Sequence, residues 1–265
     1  MKKFLTPFFF FGHHIAGAHG FHGAGDLVNS SYTKNIFSNG SKQTMPYRLL
    51  SPDCIEAGCK YPLVVFLHGH GERGTDNEKQ LIHGGAVFTN PRNQEQYPAF
   101  VVFPQCNGHA WTSKFNANAF LPDADVPDET LNEKMVMGLI SELITTYPID
   151  IDRIYLMGIS MGAIATYDLT CRHPEVFAAA VPICGAVNPE RLSNVRNINF
   201  MIFHGQADSE VPVICSRQAY KTLRGLGANV DYIELDGAGH ECWHYAFNHP
   251  RLLPWLFAQE RKTIC

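Results

Sequence analysis

A serine with a glycine two residues to either side, Gly158-Ile159-Ser160-Met161-Gly162, directly follows the apolar run RIYLM. A serine hydroxyl is a poor nucleophile until a positioned base takes its proton. In a chain of 265 residues with 22 glycines the pentapeptide alone means little. It gains weight if a base, an acid and oxyanion donors can reach it. His240, in the glycine-rich stretch DGAGHECW after the last apolar run, is the candidate base, with His204, His244 and His249 as rivals. Asp208, in FHGQADSEVP after the preceding run, is the candidate acid, with Glu210 and Asp236 as rivals. Taken together, Ser160, Asp208 and His240 supply the nucleophile, the orienting carboxylate and the general base of acyl transfer.

The tetrahedral intermediate of that reaction needs two backbone N–H donors. Met161, immediately after the serine, is one candidate. The other is His70, in HGHGERG, where glycines allow the main chain to approach a substrate. Glu72 and Arg73 of that segment either pair with each other or are solvated. His68 and His70 have no third ligand at a sensible spacing, and the chain has no C-x-x-C pair, so a metal is not expected, and acyl transfer to water requires no cofactor. Trp111 in NGHAWTS and Trp243 in HECWHY follow strand ends, where each could stack on a sugar or an aromatic acyl group or simply pack.

The elements that must position these residues are readable as well. Residues 31–50 suggest two strands around the turn SNGS. YPLVVFLHG, YPAFVVFPQC, DRIYLMG, FAAAVPICG, NINFMIFHG and NVDYIELDG are apolar runs without alternation, which suits strands buried on both faces. Helical patterns lie between them at 128–147, after Ser160, at 213–227 and near the C-terminus. Strand–helix alternation predicts a single α/β domain with a mainly parallel sheet of about eight strands and helices on both faces. The span GAVNPERLSNVR, 185–196, is too short to hold a cap domain.

Hydrophobic residues at 45% and charged residues at 17% describe an ordinary globular protein. A net charge of −4 argues against nucleic acid as a partner. The start, MKKFLTPFFFFGHHIAGAHG, has a basic pair, an apolar stretch and Ala16-Gly17-Ala18, so residues 1–18 read as a signal peptide and 19–265 as the catalytic domain. That reading places the protein outside the cell or in the periplasm; the alternative is a disordered start on a cytoplasmic enzyme. Eight cysteines fit such an oxidising compartment, with Cys54–Cys59 and Cys215–Cys242 as candidate pairs. No apolar run reaches the ~20 residues of a membrane helix.

YPLVVFLHGHGERGTDNEKQL, FVVFPQC, IDIDRIYLMGISMGA, FAAAVPICG, FHGQADSEVP and GAGHECWHYAF together resemble the α/β-hydrolase superfamily. Within it the chain is similar to cap-less exported esterases related to polyhydroxybutyrate depolymerases, feruloyl and acetylxylan esterases, and to peptidase-like relatives of prolyl oligopeptidase. The resemblance covers roughly residues 45–260, and Ala163 departs from it where many relatives carry a third glycine. It implies the triad Ser160, Asp208 and His240, in the chain order of that fold, with His70 and Met161 as oxyanion donors. The implied activity is hydrolysis of short-chain or hydroxycinnamoyl esters, free or attached to carbohydrate, with a serine peptidase or a non-catalytic binding protein as the alternatives.

Overall fold

The computed structural model describes residues 24–40, 42–108, 110–112 and 128–261. The expected signal peptide lies outside the described residues.

Eight strands, β1 (Thr33–Ser38), β2 (Thr44–Leu50), β3 (Tyr61–Leu67), β4 (Phe100–Pro104), β5 (Ile149–Ile159), β6 (Ala179–Ile183), β7 (Asn199–Gly205) and β8 (Val230–Leu235), form one sheet. Its order is β1-β2-β4-β3-β5-β6-β7-β8. The hairpin strand β2 pairs antiparallel with β1 and β4, and every later pairing is parallel. Every residue of β3, β4, β6 and β7 is buried, as unalternating apolar runs require of strands covered on both faces. Successive side chains then feed opposite layers. Leu63, Val65 and Leu67 join Phe100 and Val102 in one core, whereas Val64 and Phe66 join Val101 and Phe103 in the other.

The helices are α1 (Ala24–Ser31), α2 (Gly85–Thr89), α3 (Pro91–Gln96), α4 (Leu131–Thr146), α5 (Met161–Arg172), α6 (Ile214–Gly225), α7 (Trp243–Phe247) and α8 (Leu252–Phe257). Helix α4 begins at a capping box, in which the Thr130 hydroxyl accepts the Glu133 N–H and the Glu133 carboxylate accepts the Thr130 N–H. Helix α5 packs on β5 and β6 and carries the serine's turn at its N-terminus. The connection between β6 and β7 holds only the 3₁₀ segment Pro189–Asn194 and carries no cap. None of the helices of the described residues is long and apolar enough to cross a membrane.

Two expectations about cysteines are corrected. All seven cysteines of the described residues are free thiols. Cys54 and Cys59 are exposed without a bridge, and the Cys59 thiol faces Glu56 Oε2 at 3.7 Å. Cys215 packs in a small cluster with Ala186 and Val211, whereas Cys242 belongs to the core beneath the opposite layer, so these two are not partners.

Candidate active site

Strand β5 ends at Ile159 and helix α5 begins at Met161, so the chain reverses at Ser160 alone. Ser160 adopts φ 50° and ψ −117°, a strained conformation for a residue with a side chain. Its N–H donates to Ile183 O at 2.9 Å, which ties the turn to the end of β6. The flanking glycines are steric necessities. A Cβ at 158 would stand 2.3 Å from Gly162 O, and one at 162 would stand 2.0 Å from Leu67 O. The Gly-x-Ser-x-Gly pattern therefore records how closely helix α5 approaches β3 and β5.

Three segments bring the expected triad together. Ser160 Oγ lies 2.8 Å from His240 Nε2, and His240 Nδ1 lies 2.8 Å from Asp208 Oδ2. Since an ionised carboxylate only accepts, Nδ1 carries the imidazole proton and Nε2 is left to accept from the serine hydroxyl. The Asp208 side chain is fully buried, and Oδ1 accepts the Glu210 and Val211 N–H groups, each at 2.9 Å. Burial opposes its charge, but hydrogen bonds from His204, His240 and those two amides hold its pKa well below the usual carboxylate range. For His240, burial opposes protonation, yet the Asp208 hydrogen bond and the charges of Asp208 and Glu210 raise its pKa above 6.5. Glu210 Oε2 stands 3.6 Å from His240 Nε2 on a side chain that is 71% exposed.

The remaining rivals take other positions. His204 is buried, with Nδ1 2.7 Å from Ser216 Oγ and Nε2 2.9 Å from Val211 O and 3.2 Å from Asp208 Oδ2. It is a second clamp on the acid, a role the sequence reading missed; the spacing of four residues in HGQAD was its only signal. The His244 ring packs beside His83 and Trp243, His249 accepts the Arg251 N–H, and Asp236 sits in the exposed turn after β8.

Strand β3 lies beside β5, with Leu67 opposite Gly158, so the segment following β3 borders the serine's turn. His68 is buried there, Nδ1 2.6 Å from Gly69 O, while Nε2 accepts the Cys106 N–H at 3.0 Å. Burial pushes its pKa down to about 4, and both nitrogens are engaged, so it acts as a neutral strut. His70 opens the 3₁₀ turn His70–Glu72, as Met161 opens α5. An N–H at the first position of a helical turn has no acceptor within that turn. Arg73 does not pair with Glu72. Its Nε donates to His70 O at 2.8 Å and its Nη2 lies 2.6 Å from His70 Nε2. Glu72 turns inward instead, with Oε1 3.6 Å from His83 Nε2, and burial raises its pKa.

The two tryptophans differ. Trp111 is 1% exposed, and its indole N–H donates to His68 O at 3.0 Å. It supports the end of β3 from within the core, the packing role that the sequence left open beside a substrate-facing one. Trp243 is 7% exposed and meets the His240 ring edge-on at 5.6 Å between centroids. Its Nε1 is buried without a hydrogen-bond partner among the described residues.

Relatives agree with this architecture. A probable inactive carboxylesterase of Oryza sativa subsp. japonica is 27% identical over 202 residues, which is 70% of this chain and 80% of that protein. A thermostable esterase of known structure is 34% identical with a TM-score of 0.82, covering 89% of this chain and 64% of its own. A ferulic acid esterase from Anaeromyces mucronatus shares the fold at 15% identity and a TM-score of 0.63, over 86% of this chain and 90% of its own. Residues 56–249 match the Phospholipase/Carboxylesterase family, and the chain belongs to it.

Proposed function

We propose that the protein is a serine carboxylesterase hydrolysing short-chain acyl or hydroxycinnamoyl esters, including esters attached to carbohydrate. The observation that carries this reading is the unbroken relay of Ser160 Oγ, His240 and Asp208, with 2.8 Å at each step. His240 Nε2 takes the serine proton as Oγ attacks the ester carbonyl. The Met161 and His70 N–H groups receive the oxyanion, and His240 returns the proton to the leaving alcohol. Water then repeats the sequence on the acyl-enzyme, with no cofactor.

Chain length and polarity of the substrate follow from what covers the serine. Among the described residues the short 185–196 connection holds no cap to enclose a long acyl chain, whose methylenes would need burial at ~0.8 kcal/mol each. Trp243, beside His240, offers an aromatic edge to a hydroxycinnamoyl or sugar group. The fold shared with a ferulic acid esterase supports the aromatic acyl class. Rates on p-nitrophenyl esters from acetate to palmitate, on methyl ferulate and on acetylated xylan test this, beside aminoacyl anilides as the peptidase arm. Activity should fall beyond about butyrate or hexanoate. Rates climbing through decanoate to palmitate, or anilide cleavage exceeding ester cleavage, would overturn the reading.

A further inference from the structure

Two thiols that the acyl-transfer steps do not use lie against the triad. Cys184 follows β6 in a left-handed conformation, φ 48°, held by its N–H donating to Phe203 O at 2.9 Å. The residue before it, Ile183, supplies the carbonyl that anchors the Ser160 N–H. Cys242 stands two residues beyond His240, and its N–H donates to His240 O at 2.8 Å. Both side chains are buried in the same core, and Cys242 is close enough to Cys184 to contribute to the rise of its thiol pKa. Cys184 Sγ also lies within 4.8 Å of the facing polar atoms of Asp208 and His240. A left-handed φ at a residue with a side chain is uncommon, and here it accompanies a buried thiol beside the His240 loop that carries Cys242.

We propose that Cys184 and Cys242 are a disulfide-forming pair that staples the His240 loop to the end of β6 beside Ser160. The pair joins the segment carrying the base to the segment anchoring the nucleophile's turn, positions otherwise linked through side-chain hydrogen bonds. Oxidation removes one hydrogen from each thiol and forms one S–S bond. The two electrons and two protons reduce a disulfide oxidant, such as oxidised glutathione, to two thiols. Burial pushes the Cys184 thiol well up, so little thiolate is present once the protein has folded. The bond is therefore expected to form during folding under oxidising conditions rather than by attack on the finished fold. The other free thiols are poorer partners: Cys215 lies in a separate cluster, and Cys54 and Cys59 are on the surface.

The full chain refolded in a mixture of oxidised and reduced glutathione, alkylated with iodoacetamide and digested with trypsin without reductant tests the pairing directly. Cys184 and Cys242 fall in separate tryptic fragments, 173–191 and 225–251, whereas Cys54 and Cys59 share 49–60 and Cys215 lies in 197–217. The expected result is a 173–191/225–251 cross-linked pair that separates on reduction. Reduction should also lower the thermal midpoint of the oxidised protein by roughly 5–10 °C, a drop absent from Cys242→Ser. Recovery of both fragments singly alkylated, or of either one linked to 49–60 or 197–217, overturns the proposal. The fragment map is read on the wild-type chain, so it stands whether or not the serine variant folds.

Discussion

The serine's turn and the histidine's loop meet at 2.8 Å, yet they are held by different means. Around Ser160 the main chain leaves no room: Gly158 and Gly162 sit where any Cβ would overlap a carbonyl, and the serine N–H is spent on β6. Around His240 the loop is open on one side, with space beside Gly239, while the Ala238 and Gly239 carbonyls lie against Gly205. There the imidazole itself is aimed by a side chain, Asp208, and by that carboxylate's own clamps, the Glu210 and Val211 amides and His204. A serine fixed by backbone packing and a histidine aimed by a hydrogen-bond relay should fail in different ways.

The largest effect separates the reacting groups from their supports. Ser160→Ala and His240→Ala should each lower ester turnover by about 10⁵–10⁶-fold while leaving thermal unfolding nearly unchanged, as loss of a member of a triad acting as a unit does. Steady-state kinetics beside a melting curve reads both. His244→Ala, at a ring that packs outside the relay, should keep most of its activity. Next in size is Asp208→Asn. An amide cannot hold the Nδ1–H tautomer of His240, so kcat should fall by about 10⁴-fold, the loss that such a change causes in a Ser-His-Asp protease. Retention of wild-type kcat in this variant would remove Asp208 from the relay.

Backbone substitution sharpens the contrast in stability. Gly162→Ala forces a Cβ to within 2.0 Å of Leu67 O, so α5 must shift or the protein unfold, at a cost of about 4 kcal/mol or more. Gly239→Ala meets nothing within 4 Å and should stay within about 1 kcal/mol of wild type. Denaturant melts of the two variants compare the regions directly. Equal costs would mean that the elbow is no more tightly built than the loop.

The smallest effect is electrostatic. Protonated His240 cannot accept the serine proton, so kcat/KM should fall as pH drops through its pKa. The raised pKa sets that acidic limb above 6.5. Glu210→Gln removes one of the charges that favour the imidazolium, so the limb should move toward lower pH by a few tenths while the rate at pH 8–9 stays constant. Added salt should shrink the difference between variant and wild type, because the Glu210 side chain is largely in solvent.

The same contrast explains what was legible in the chain. Buried parallel strands announce themselves as apolar runs, and the serine's turn announces itself through glycines that local packing demands. Asp208 and His240 could be placed by their position after successive strands, although 32 residues separate them. His204 could not be told from a rival base, because its part in clamping Asp208 depends on where its ring points after β7 closes. The inward turn of Glu72 toward His83 and the burial of Trp111 under His68 arise between loops that meet only in the folded chain. Cys242 shares a core with Cys184 and not with Cys215, a sorting between layers that the spacing of motifs does not carry.

The central claim is that Ser160 becomes acylated. Rapid acid quench of the enzyme with p-nitrophenyl acetate, followed by peptide mass mapping, should find an added acetyl group on the tryptic fragment 154–172, localised to Ser160 and absent from Ser160→Ala. Acetylation confined to another residue, or full esterase turnover by a folded Ser160→Ala protein, would contradict the account.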